Sequence, residues 1–431
     1  MGSFRMNDDR ECDTVSEAGD VGDQALQIKR VCDAGSTTFS FDRTVGNEVV
    51  HPLKEKEALE SYGFMCRDLE TVNNVSLVSP LPHELMSPIL ADALLKDTEE
   101  TEQLLVLSPL FEYISSLSFL AVFGILGVLT RYSLKELFGP GVARVTSDHS
   151  SLYSDLPSNM VGSFLMGWWG VVFKADIAKK SNHLAIGLTT GYLGSLTTFS
   201  GWNQKMLDLC LNGQWVSSFV GFLLGLFLAA YSIKFGVGTA QLFKQIMNCL
   251  CKNSPLLNWR VNTVKRHCTL MTLLVTLLCT LWIISGALLR KELPNHSSLA
   301  ELWLACLVAP AGVWIRWFLA RLNGRGIGKS GILKWMPFGT LLANVCASCI
   351  MAALATLKKV AHNKDSETIY NGIQLGFLGA LSTVSTFIAE YYAMEDSQKN
   401  WRAYVYALLT ILLSFGLGIL IFYLPVRTKE Y

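Results

Sequence analysis

The sequence predicts an all-α integral membrane protein: nine transmembrane helices, set as two inverted four-helix repeats joined by one linker helix, behind a disordered N-terminal tail. Three observations carry that expectation. The chain of 431 residues is 51% hydrophobic and only 16% charged, against about 25% charged residues in soluble domains. Residues 191–202, GYLGSLTTFSGW, recur as residues 376–387, GFLGALSTVSTF, with six of twelve positions identical and an offset of 185. The same offset links Arg131-Tyr132 to Arg316-Trp317 and Asn159 to Asn344, so the chain contains a duplicated unit. Finally, the apolar runs fall as four, one and four, and an odd crossing between two copies turns the second upside down.

Residues 1–108 form an acidic tail, with 21 acidic and 9 basic side chains and no sustained periodicity. Such a segment buries too little apolar surface to offset its ordering entropy and is expected to be disordered. Within it, Pro88 to Lys96 reads as a short helix capped by Ser87. Met6 stands where a myristoylation motif needs Ser or Thr, and no signal peptide is read before the first apolar span.

The expected spans are 112–132, 156–174, 184–204 and 214–236 in the first repeat (109–238). One more, 270–289, lies in a basic loop plus linker helix (239–295). The second repeat (296–424) holds 298–320, 336–357, 371–393 and 402–424, and 425–431 is a short tail. Each is long enough for a hydrocarbon core of about 30 Å at 1.5 Å rise per residue. The linker span, MTLLVTLLCTLWIISGALL, lacks the glycine and hydroxyl motifs of the others. Basic residues fix the orientation. Lys174, Lys179 and Lys180, the acid-free stretch from Lys234 to Arg266, and Arg321, Arg325, Lys329 and Lys334 all share one side. That side is cytosolic, which leaves the N-terminus inside and the C-terminus outside. Lys358, Lys359 and Lys364 fall outside and run against the rule, whereas the sequon Asn295-His296-Ser297 lies outside in agreement with it. Basic charge spread over short loops is membrane topology and not a nucleic-acid footprint.

Eleven cysteines give no framework. Cys210, Cys279, Cys306, Cys346 and Cys349 sit singly in apolar runs, where Cys acts as a small hydrophobe. Cys249, Cys251, His267 and Cys268 do not match a structural zinc spacing.

The repeated stretch carries the chemistry. Gly191, Gly194, Thr197, Thr198 and Ser200, and in the second copy Gly376, Gly379, Ser382, Thr383, Ser385 and Thr386, fall in mid-span. Glycine and β-branched threonine weaken a helix, and a broken helix at membrane depth survives where it is buried or lines a wet cavity. Freed carbonyls suit a cation; freed N–H groups and hydroxyls suit an anion. Close glycine packing between helices is the structural alternative. Asn159 and Asn344 need partners in an apolar run and so face the interior or a pore. Arg131 and Arg316 end their spans, where snorkelling to opposite interfaces is a sufficient account. Phe199 and Trp202 correspond to Val384 and Phe387, and the positive edge of a phenyl ring can face a dehydrated anion.

On these residues the chain resembles the eukaryotic fluoride exporters, fused two-repeat relatives of the bacterial CrcB/Fluc fluoride channels. The resemblance spans about residues 111–424 and rests on the Arg-aromatic pair, the span-two Asn, TTFS at 197–200 and STVSTF at 382–387. It implies a passive fluoride-selective channel in the plasma membrane, exporting fluoride from the cytosol. It also implies a monomer that imitates the bacterial antiparallel dimer. One pore would use Phe199 with Phe387; the other, with Trp202 and Val384, would be degraded. Asn159, Asn344, Thr198, Ser200, Thr383, Ser385 and Thr386 would line the path. Further hydroxyls would come from Tyr406 and Thr410, with Ser217, Ser218, Tyr404 and Ser414 as other span-four candidates. Glu390 ends the motif in the second half, where Lys205 stands in the first. The resemblance also implies a structural sodium ion on the carbonyls of Gly194, Thr197, Gly379 and Ser382. A transporter of another monovalent ion, a membrane scaffold and, least favoured for want of an intramembrane acid–histidine cluster, an embedded enzyme stay open as other readings.

Overall fold

The computed structural model describes residues 109–148, 150–250, 264–326, 333–360, 363–397 and 399–428. The acidic tail, its Pro88 to Lys96 helix and Cys251 lie outside these. Among the described residues the regular elements are all helical, without strands. Helix α1 spans Pro109–Phe138. Helix α2, Leu156–Leu165, widens through π-type turns at Met166–Val172 before α3, Lys174–Lys180. Helix α4, Asn182–Ile186, widens likewise over Gly187–Leu193 and ends in the short α5, Gly194–Leu196. The chain then extends at Thr197 and Thr198 and restarts as α6, Phe199–Leu211. Next come α7, Trp215–Leu250, the linker helix α8, Val264–Glu292, α9, Ser298–Ala320, and α10, Phe338–Val360. The second broken helix consists of α11, Lys364–Ile373, π-turns at Gln374–Leu378, α12, Gly379–Leu381, and α13, Ser385–Glu395. Helix α14, Trp401–Gly418, passes through π-turns at Ile419–Tyr423 into α15, Leu424–Thr428.

Seven helices among the described residues are long and apolar enough to cross a membrane. The other two expected spans, 156–174 and 184–204, are helical but interrupted, the first by π-turns and the second by π-turns and the extended pair. The glycines of both, and the β-branched threonines of the second, hold a continuous α-helix weakly.

Helices α1 and α9 pack along an apolar seam of Leu120, Ile125, Val128, Ala305, Ala309 and Val313. A larger cluster surrounds the two breaks and contains Phe199, Trp202, Val384, Phe387 and Tyr406. The linker helix is peripheral, with 11% of its apolar window buried. It touches the first repeat through Met271 and Leu274 against Phe119 and Val122.

His267 is buried at the end of this seam. It lies 3.2 Å from Ser115 Oγ, and its ring centroid is 5.1 Å from that of His183, whose Nε2 is 3.2 Å from the Glu112 carbonyl. His267 thus turns towards α1. Burial, with His267 adding to it, brings the His183 imidazole down to about 4. The unfolded chain takes up this proton near pH 6.5 and the folded one does not, so stability contributed by neutral His183 is lost as pH falls from 6.5 towards 4. His183→Asn should flatten thermal stability over that window; an unchanged slope counts against this origin.

Lys358, on the unexpected side of the charge rule, is paired. Its Nζ lies 3.0 Å from Glu367 Oε1 and 3.1 Å from Asn371 Oδ1.

Candidate functional site

The two breaks meet side by side, each finishing the other. Thr197 Oγ1 accepts from the backbone N–H groups of Val384 (3.1 Å) and Ser385 (3.0 Å), at the start of α13. Ser382 Oγ accepts from Phe199 N–H (3.2 Å) and Ser200 N–H (3.0 Å), at the start of α6. The first N–H groups of a helix have no intrahelical partner and need such caps. Here the caps of the first two N–H groups come from the opposite repeat, while Thr198 Oγ1 accepts from Gly201 N–H (3.2 Å) within its own. Around them, Thr197 Oγ1 is 3.2 Å from Thr383 Oγ1, Thr198 Oγ1 is 3.2 Å from Ser382 Oγ, and Ser200 Oγ is 2.9 Å from Ser382 Oγ. All of these hydroxyls are buried. Thr386 is half-buried, and its N–H lies 3.5 Å from Thr383 Oγ1.

The two asparagines hold the extended peptides open. Asn159 Oδ1 accepts from Thr198 N–H (2.9 Å) while its Nδ2 donates to the Thr198 carbonyl (3.2 Å). Asn344 does the same to Thr383, at 2.8 and 3.1 Å. Asn159 also donates to Tyr153 Oη at 3.2 Å.

The arginines correct a sequence expectation. Neither Arg131 nor Arg316 reaches an interface; both are buried. Arg131 Nη2 donates to the Leu375 carbonyl and Arg316 Nη2 to the Thr190 carbonyl at 2.6 Å, each in the opposite repeat and just before its break. The guanidinium groups press so closely on Gly379 and Gly194 that a Cβ on either glycine would overlap them. Their Nε and Nη1 atoms have no hydrogen-bond partner among the described residues. Two fixed positive charges in a low-dielectric region lower the electrostatic cost of a nearby anion.

Phe199 and Phe387 come together, ring centroids 5.8 Å apart and planes at 67°. Phe387 continues to Tyr406 at 5.2 Å. Tyr406, Thr410 and Ser414 share one face of α14, and all three are buried. Tyr404 is exposed and Ser217 half-buried, so neither joins that face; Ser218, on α7, is buried. Glu390 receives three donors: Tyr406 Oη at 2.6 Å, Thr340 Oγ1 at 2.6 Å and Asn323 Nδ2 at 3.2 Å. Tyr153, Asn203, Asn323 and Thr340 were not singled out from the sequence; a search for polar residues within the apolar runs would have found Asn203 and Thr340, whereas Tyr153 and Asn323 stand outside the expected spans.

Trp202, the counterpart of Phe387, also meets Phe199 edge to face, ring centroids 5.6 Å apart, but its other neighbours differ. It stacks on Tyr153 at 5.9 Å and its Nε1 donates to the Gly221 carbonyl at 3.3 Å. At the offset of 185, Tyr406, Thr410 and Ser414 become Gly221, Gly225 and Ala229. The Trp202 indole occupies the space a Cβ on Gly225 would need. Lys205, the counterpart of Glu390, is paired with Asp148 at 2.9 Å.

The implied sodium ion can be tested against the donor atoms. In an unbroken helix the N–H groups of Thr198 and Thr383 would bond the carbonyls of Gly194 and Gly379. Both N–H groups are taken by asparagines. The released carbonyls are neutral, hard oxygen donors, the chemistry that suits such a cation. The two guanidinium groups beside the same glycines oppose it, but the donor set fits.

A family model described as "CrcB-like protein, Camphor Resistance (CrcB)" matches residues 118–237 and again 303–423, once in each repeat. The chain is 33% identical over 129 residues to a "Fluoride-specific ion channel FluC" of Dehalococcoides mccartyi, covering 29% of this chain and 92% of that one. It is 25% identical over 321 residues to "Fluoride export protein 1" of Candida albicans, 68% of this chain and 76% of that one. A "Fluoride-specific ion channel FluC 2" of Staphylococcus saprophyticus is 38% identical over 92 residues, 21% of this chain and 72% of that one. No solved structure matches. With two matched copies of the unit, each containing one of the crossed breaks, the chain belongs to the CrcB-like family.

Proposed function

We propose that this protein is a passive, fluoride-selective channel that exports fluoride across the plasma membrane, as a monomer of nine crossings in two inverted repeats. The observation that carries the reading is the reciprocal capping of the two breaks, in which Thr197 and Ser382 exchange roles across the junction. That exchange is what a two-fold relation between inverted halves produces. With the N-terminus cytosolic and the C-terminus outside, Glu390 lies towards the cytosol and Lys205 towards the exterior.

One conduit carries the ion. It runs past Phe199, Phe387, Tyr406, Thr410 and Ser414, where hydroxyls and ring edges replace the water a small anion sheds. Selection by lining chemistry and width is the general channel argument. In the other conduit Trp202 fills the space and glycine or alanine replaces the hydroxyls, so it is degraded. An inside-negative potential drives fluoride outward by about 2.3 kcal/mol per charge per 100 mV.

The test is fluoride efflux from liposomes holding the purified full chain, with an electrical shunt, no proton gradient and chloride as control. Fast fluoride efflux supports the channel; equal chloride flux, or dependence on a proton gradient, supports a different ion or a coupled transporter.

Sodium at the junction would be held by the carbonyls of Gly194, Thr197, Gly379 and Ser382, where it supplies charge to tie the two breaks together. Exchanging sodium for N-methylglucamine at constant fluoride should lower the melting temperature in detergent. At a hundredfold excess over its dissociation constant a ligand contributes about 2.7 kcal/mol. Melting that ignores the cation removes sodium from the proposal.

A further inference from the structure

On α6, next to Trp202, Asn203 is fully buried. Its Nδ2 donates to the Ser414 carbonyl over a long 3.4 Å, and its Oδ1 has no hydrogen-bond partner among the described residues. The Ser414 hydroxyl, fully buried on the hydroxyl face of α14, is likewise unpartnered. Buried amides and hydroxyls are nearly always hydrogen-bonded, because an unmade bond costs the whole desolvation of the group. Two such groups converging from different repeats, next to a conduit, mark a place where a polar species sits. The two helices approach closely here: a Cβ on Gly418, the next residue of the face, would overlap Leu207 and come to 3.4 Å from Asn203 Nδ2, so glycine at this position lets α6 and α14 bring these groups together. The arrangement exists once. Asn203 corresponds to Ile388 and Ser414 to Ala229, so the conduit filled by Trp202 has no equivalent pair.

We propose that Asn203 and Ser414 form an anion-binding step at the end of the conduit remote from Glu390, where fluoride is held with part of its hydration shell. The Ser414 hydroxyl and the second N–H of the Asn203 amide donate to the ion. The amide oxygen accepts from a water that the ion retains, which is why an acceptor belongs in an anion site. The inference rests on the channel reading above, and it assigns a substrate contact outside the repeated motif.

Fluoride efflux is measured in liposomes as a function of internal fluoride for the wild type, Asn203→Leu, Asn203→Ser, Asn203→Asp and Ser414→Ala. Hydrogen bonds to a charged partner correspond to about a tenfold effect or more. Asn203→Leu should therefore lose about tenfold or more in rate and shift half-saturation to higher fluoride. Asn203→Ser, which keeps a donor and an acceptor, should stay within about threefold on the same scale. Asn203→Asp should fall furthest, since a carboxylate repels the ion. Should Asn203→Leu melt early, Ser414→Ala removes only a hydroxyl and is expected to shift half-saturation in the same direction. A conducting wild type with Asn203→Leu and Ser414→Ala both at wild-type rate and half-saturation overturns the inference alone. A wild type that passes no fluoride overturns the channel reading and the inference with it.

Discussion

Phe199→Leu and Phe387→Leu should each collapse fluoride efflux by about a hundredfold, while Trp202→Phe leaves it within about twofold. The rings of Phe199 and Phe387 meet edge to face at 5.8 Å beside the hydroxyl face of α14. Leucine keeps the apolar volume but has no ring edge to offer an anion that has shed water. Trp202 instead packs against Tyr153 and over Gly225, in surroundings that offer an ion no hydroxyl track. Efflux rates on protein that remains monodisperse and melts normally decide the matter. Loss of flux in Trp202→Phe with retention in Phe387→Leu would reverse the assignment of the two conduits.

A second large effect is expected at the junction itself. Thr197→Val should lower stability by about 3 kcal/mol, since the buried N–H groups of Val384 and Ser385 both lose their acceptor. Set against a total of about 5–15 kcal/mol, that is a severe loss. Ser382→Ala should behave alike, because Phe199 and Ser200 lose theirs. Thr272→Val on the linker helix is the control: its hydroxyl donates only to the carbonyl one turn back, at 2.9 Å, and the side chain is exposed. Melting temperature in detergent reads all three. If Thr197→Val melts no earlier than Thr272→Val, the exchanged caps contribute nothing of consequence.

Much of this site was legible before any coordinates, because duplication repeats its own signals. The offset of 185 picked out Asn159 with Asn344 and the two glycine–hydroxyl stretches, and these residues do meet at one junction. The arginines were misjudged for a physical reason. Position at the end of a span implies an interface only if the neighbouring helix is intact, and here π-turns free the Leu375 and Thr190 carbonyls for them. Choosing among the hydroxyls of the last helix also needed three dimensions. Residues two apart on a helix point about 200° from each other, so Tyr404 faces outward while Tyr406 is buried. Asn203 carried no repeat signal, its counterpart being Ile388.

The exchange of caps also has a bearing on how the protein is made. When residues 182–211 leave the ribosome, the serine that will satisfy Phe199 and Ser200 has not yet been synthesised. The first repeat must wait in the membrane with its central helix unfinished until the polypeptide has grown from residue 211 to Ser382, 171 residues further on. Neither repeat is then a self-sufficient folding unit. A gene split within the stretch between α7 and α8 should give stable protein only when both fragments are synthesised in the same cell, and each alone should be cleared by quality control.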